Sequence, residues 1–190
     1  MDIYTAIKER RSCRNYLPDP IDDATIEKIL EAATWAPSPA NFQGWDFVVI
    51  TNRDVKEKLV QEADTRRIEV FEKSGWKWLN KYDVSFLRGV PVMICVVGDP
   101  KKTGADMFLN HGASAYQHGC AAAIQNLMLA AHAEGLGSLW FTLFDQDAVR
   151  EILNVAPEKN PLALICLGKP GGEPYGTPRK PVGDKITYIR

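Results

Sequence analysis

An excess of charge of one sign is missing from this 190-residue chain: 23 lysines and arginines face 24 acidic residues, leaving a net charge of −1 and a pI near 6.3. That balance argues against a protein that coats nucleic acid or an anionic membrane. Long apolar runs are missing too. The longest are strand-sized, so no segment can span a bilayer as a helix. Cysteine is sparse: Cys13, Cys95, Cys120 and Cys166 lie far apart and form no CxxC. The spacing excludes an iron–sulfur cluster bound within this chain and, with no secretory leader pattern, leads to an expectation of reduced thiols in a cytoplasmic protein. No GxGxxG follows a strand, and there is no GxxxxGK[ST] phosphate loop. Gly135-Leu136-Gly137 ends a helical stretch and reads as its C-cap. His111, His118 and His132 fall in one region, but no carboxylate or cysteine completes a metal-ligand set around them.

What is present is an ordinary globular composition, 45% hydrophobic and 25% charged. The length suits one domain with a full hydrophobic core. Against this background one stretch is unusual: Arg10-Arg11-Ser12-Cys13-Arg14 packs three guanidinium groups and a hydroxyl into five residues. Arginine offers a planar fork of donors that matches phosphate or carboxylate oxygens. Such a cluster is either an anion site or a solvated basic patch. It follows a short helix capped by Asp2, with Ile3, Ala6 and Ile7 on one face. The dipole at that C-terminal end favours cations and repels anions, so any bound anion must be held by side chains.

The periodicities predict a second helix opened by Asp22, with Ile26, Ile29, Leu30 and Ala33 inward, and a strand over 45–50. A charged helix follows from Arg53 to about Phe71, with Val55, Leu59 and Ala63 inward. Residues 72–89 are aromatic yet irregular, either a surface excursion or a lid or interface segment. Pro91–Val97 is an apolar strand buried on both faces. Gly98–Gly112 reads as a loop, His118–Glu134 as an Ala-rich helix and Ser138–Phe144 as a strand. Asp145 caps a helix carrying Val149, Ile152 and Leu153; Leu162–Leu167 is a further strand. From Gly168 the chain is rich in Pro and Gly, with Arg179-Lys180 and a short candidate strand at 186–189. A tail of that length with little structure of its own is expected to wrap a neighbour, which points to a homodimer.

Two stretches besides the arginines place polar groups beside stiff or structured backbone. In Pro37-Ser38-Pro39-Ala40-Asn41-Phe42-Gln43-Gly44-Trp45, the amides of Asn41 and Gln43 either hydrogen-bond a ligand's own amide edge or serve as turn chemistry. The second is Ser138–Phe144. Cys13 lies among arginines, an arrangement that lowers a thiol pKa and raises the question of a nucleophile.

Taken in order, these pieces resemble the FMN-dependent nitroreductase family. The resemblance is carried by Arg10–Tyr16, Ala36–Trp45, Gln125-Asn126-Leu127 through Gly135-Leu136-Gly137-Ser138-Leu139-Trp140, and Arg179-Lys180, and it spans essentially the whole chain. It implies an α+β sandwich, a mostly antiparallel central sheet flanked by helices, built as an intertwined homodimer with FMN in the interface. By that resemblance Arg10, Arg11 and Ser12 hold the phosphate and ribityl end, joined by Arg179 or Lys180. Arg14 reaches the pyrimidine edge of the flavin. Pro37, Ser38, Pro39, Asn41 and Gln43 line the ring from the other subunit, while Trp140, Phe141, Thr142 and Leu143 run beneath it. NAD(P)H is then a transient reductant, and a nitroaromatic, quinone or similar small molecule the acceptor. Other flavin chemistry of the family (dehalogenation, flavin fragmentation, ring oxidation) and a flavin carrier or sensor stay open. Two positions depart from the family pattern: Gly44 stands where proline is usual, and Thr142-Leu143 replaces an acidic residue followed by glycine.

Overall fold

Side-chain caps set the starts of most of the longer helices. Asp2, Asp22, Asn52 and Asp145 each accept from backbone N–H groups of the first turn, satisfying donors that have no partner inside the helix. In the computed structural model, which describes residues 1–190 except 111 and 174, the helices are α1 (Ile3–Glu9), α2 (Asp23–Thr34), α3 (Arg53–Ser74), α4 (Lys77–Lys81), α5 (Ala115–Ala133) and α6 (Gln146–Ile152). The strands are β1 (Trp45–Ile50), β2 (Val92–Gly98), β3 (Gly137–Phe141) and β4 (Asn160–Gly168).

The four strands form one antiparallel sheet in the order β1-β2-β4-β3. Alternation along β2 and β4 divides the core in two. Val92, Ile94, Val96, Ala163, Ile165 and Leu167 meet α2 and α5 on one face. Met93, Cys95, Val97, Leu164 and Cys166 meet residues of α3, α6 and the 84–90 segment on the other. Every residue of β2 is buried, as an apolar run without alternation requires. The α+β sandwich is therefore the observed architecture.

Several boundaries differ from the sequence reading, each for a tertiary reason. Helix α5 begins at Ala115 because the Asp106 carboxylate accepts from the Ser114 and Ala115 N–H groups, both at 2.7 Å. That cap comes from a different segment. Strand β3 starts at Gly137 and stops at Phe141, where its pairing with β4 ends. Helix α3 runs on to Ser74 and closes on Gly75 in the left-handed region, φ +66°. Residues 186–189 form no strand and pair with none of the four strands of the sheet. In α1 only Ala6 is buried, whereas Ile3 and Ile7 are more than half exposed. Among the described residues no helix is long and apolar enough to cross a membrane. His111 lies outside the described residues.

Candidate functional site

The arginine segment is fixed by main-chain pairing to the sheet. Cys13 N–H donates to the Ser138 carbonyl at 2.9 Å, and Ser12 bridges Ser138 in parallel at the start of edge strand β3. Leu17 N–H donates to Lys169 at 2.9 Å, and Gly171 N–H to Asn15 at 2.9 Å. Residues 12–17 thus lie across the place where β3 begins and β4 ends.

The three arginines occupy different surroundings. Arg11 turns back on its own helix, where its Nη1 donates to the Lys8 carbonyl and, at 2.9 Å, to the Arg10 carbonyl. It satisfies carbonyls left free at the helix end, so part of its fork is already engaged. Arg14 is exposed and lies 5.9 Å from the centroid of the Tyr82 ring, within cation–π range. Arg10 is different: its Nη1 is buried and has no hydrogen-bond partner. Burial first, then the nearby charges of Arg11 and Arg179, hold the Arg10 guanidinium below its ordinary pKa. The tail thus brings Arg179 to the cluster, while Lys180 is exposed with no described partner.

Four buried polar side-chain atoms lack a hydrogen-bond partner among the described residues: Arg10 Nη1, Arg66 Nε, His132 Nε2 and Ser138 Oγ. Arg66 Nε lies 3.0 Å from the Glu62 carboxylate, so its charge is compensated. Of the other three, Arg10 and His132 meet where α1 and α5 end, and Ser138 stands at the start of β3. Arg10, Arg11, His132 and Gly137 line one cavity there of about 540 Å³. Leaving a buried polar group unpaired costs on the order of 1–3 kcal/mol, more when it is charged. A cluster of such groups is a place where a ligand or ordered water can supply the missing partners.

The 37–43 loop is strained as well as polar. Ala40, Asn41 and Gln43 all have positive φ (47°, 55° and 49°), three of the four such non-glycine residues described. Each costs about 1–2 kcal/mol and persists only where surrounding structure enforces it. The Gln43 N–H donates to Ser38 Oγ at 3.0 Å, and Gln43 Nε2 to Asn41 Oδ1 at 3.3 Å. Gly44 is buried, and a Cβ there would lie 3.0 Å from Lys102 Cβ. The loop is therefore stiff without proline at that position. Pro37, Asn41 and Gln43 remain exposed. No described contact joins them to the arginine segment within one chain.

Strand β3 divides its residues between two faces. Trp140 and Thr142 border a cavity of about 360 Å³ with Gln117 and His118. Phe141 and Leu143 instead pack into the α3-side core, so only their backbone is available to a ligand. The Cys13 thiol is buried and donates to the Asn15 carbonyl at 3.1 Å. Burial raises its pKa despite the opposing influence of Arg14, which removes it as an activated nucleophile. Cys95, Cys120 and Cys166 are pushed up to about 12 by burial. No cluster of metal-ligating side chains occurs among the described residues.

The Nitroreductase family model matches residues 7–169, which includes the arginine segment, the strained loop and all four strands. The chain belongs to the nitroreductase family. It is 30% identical over 178 residues to a Methanothermobacter thermautotrophicus protein named NADH dehydrogenase/NAD(P)H nitroreductase, a match covering 92% of this chain and 80% of that one. It is also 27% identical over 173 residues to the 5,6-dimethylbenzimidazole synthase of Rhodobacter capsulatus, covering 86% and 81%. Among solved structures, a BluB-like flavoprotein from Clostridium difficile 630 superposes with a TM-score of 0.82 at 25% identity, covering 100% of both chains. The nitroreductase-family sandwich is thus complete here. Sequence reasoning singled out Arg10, Ser12, the 37–43 loop and the Ser138–Phe144 stretch, but it weighed His132 only as a metal ligand and gave the Ser138 hydroxyl no role of its own. Their signal is the absence of a partner in three dimensions.

Proposed function

We propose that this protein is an FMN-dependent NAD(P)H oxidoreductase whose acceptor is a nitroaromatic, quinone or similar small molecule. The observation that carries the reading is the buried, unpartnered Arg10 guanidinium in a cavity shared with Arg11, within the electrostatic reach of Arg179. A phosphate monoester supplies the acceptors this corner lacks, and charge-assisted bonds of ~1.5–3 kcal/mol each offset the unfavourable helix end. The flavoprotein likeness and the NAD(P)H names of the relatives support FMN and a nicotinamide reductant.

The hydride chemistry, from NAD(P)H to acceptor in two half-reactions, belongs to bound FMN. The chain's own residues hold and tune. Arg10 and Ser12, with Arg179 or Lys180 from the tail, hold the phosphate and ribityl end. Arg11 contributes charge while it caps α1. Arg14 places a cation beside the pyrimidine edge, where it stabilises negative charge on the reduced ring. Ser38, Asn41 and Gln43 present amide and hydroxyl groups from a loop already fixed in a strained shape, so little reorganisation accompanies binding. Pro37 and Pro39 stiffen that loop. Trp140 and Thr142, with the backbone of Phe141 and Leu143, form the floor.

Because the loop and the arginines do not meet within one chain, we assign them to opposite subunits of a homodimer, wrapped by residues 168–190. From 171 onward the described tail residues are exposed, Tyr175, Tyr188 and Ile189 among them. Initial rates with NADH or NADPH against a quinone or nitroaromatic should give parallel double-reciprocal lines, as two half-reactions at one place require. Absence of NAD(P)H oxidation with either acceptor class would overturn this reading. It would favour the other flavin chemistry that the benzimidazole synthase relative represents.

A further inference from the structure

The corner that holds Arg10 contains a second buried polar atom with nothing to bond. His132 sits in the last turn of α5, and its Nε2 has no partner. Packing of α1 on α5 brings the two residues to one cavity. The turn between α5 and β3 completes its wall: Leu136 N–H donates to the Ala131 carbonyl at 2.8 Å, and Gly137 follows without a side chain. Among the described residues the one acid lining this cavity is Glu173, which is exposed and forms none of the described ion pairs.

We propose that His132 is a further ligand of the cofactor's phosphate end, donating from Nε2 to a phosphate oxygen alongside Arg10. The inference rests on the flavin reading above and extends it to a residue outside the arginine segment. An imidazole is suited to this position. Its ring can offer an N–H where the helix end offers only carbonyls. One such bond is worth about five- to tenfold in affinity.

Flavin-free protein titrated with FMN and with riboflavin tests this, because riboflavin lacks only the phosphate. His132→Leu should weaken FMN binding about five- to tenfold while leaving riboflavin unchanged. His132→Gln, whose amide nitrogen reaches the place of Nε2, should recover most of the loss. Arg10→Ala serves as the reference and should weaken FMN about tenfold or more. If Arg10→Ala loses FMN while His132→Leu binds both ligands as wild type does, the His132 assignment is wrong and the flavin reading stands. Equal weakening of both ligands by His132→Leu also overturns it, since the residue then acts through the fold. If wild-type protein binds no FMN, the flavin reading itself falls. Should the leucine variant fail to fold, the wild type decides: inorganic phosphate must shift the His132 ring resonances, and an unmoved ring contradicts the proposal.

Discussion

Arg10 and Arg14 stand four positions apart, yet burial gives them different tasks. The Arg10 guanidinium is partly desolvated and short of a partner, which suits it to the anchoring role proposed above. Arg14 is exposed and rests against Tyr82, which leaves its charge free to act on whatever lies beside it. The account assigns it to the reduced flavin. Arg14→Ala should therefore lower the flavin reduction potential by roughly 30 mV or more, about 1.4 kcal/mol for a two-electron couple, while changing affinity for oxidised FMN less. Potentiometric titration of the variant checks this; an unchanged potential would show that Arg14 does not act on the ring. Cys13 shows what neighbouring residues in sequence leave out. Adjacent arginine argues for a thiolate, but the buried thiol lies under desolvation that outweighs that charge.

At the scale of elements, the site depends on how closely residues 12–17 lie against the start of β3. Gly137 permits that approach: a Cβ there would fall 2.8 Å from both Cβ and Sγ of Cys13 and 3.3 Å from Pro170. Gly137→Ala should push the arginine segment off the sheet. The expected cost is ~1–3 kcal/mol of stability, read by denaturant unfolding, together with weaker FMN binding. A variant as stable as wild type would show that the segment has slack. Much of this was legible in sequence. The caps at Asp2, Asp22 and Asp145, the strand at 45–50 and the all-buried β2 follow from local chemistry and apolar pattern. The arginine cluster and the 37–43 loop stood out because both place costly polar groups beside constrained backbone. The rest was not legible because it depends on contacts distant in sequence. The start of α5 is set by Asp106, and the unpaired state of His132 and Ser138 exists only once three elements converge. The positive φ values at Ala40 and Gln43 could not be foreseen from residue types that seldom adopt them, whereas Asn41 is of a type that does.

At the scale of the molecule, one chain leaves too much apolar surface uncovered. Ile3 on α1 and Trp35, 81% exposed, border a groove of about 420 Å³ between α1, α2 and α5, and Ile7 on α1 is also more than half exposed. An amphipathic helix with its apolar residues in water is unstable by itself. In the homodimer proposed above, a second copy would cover this face. The aromatic ladder Trp76, Trp78, Tyr82 and Phe86, with successive ring centroids 5.7–6.5 Å apart, stands at the Arg14 side of that site. Its position suits a wall for a planar acceptor. Cofactor, subunit contact and acceptor wall therefore form one interdependent claim, which native mass spectrometry of the purified full-length protein tests most directly. The account predicts a yellow dimer carrying one non-covalent FMN per chain, with flavin and dimer lost together as the ions are activated. A colourless monomer that takes up no added FMN would contradict it.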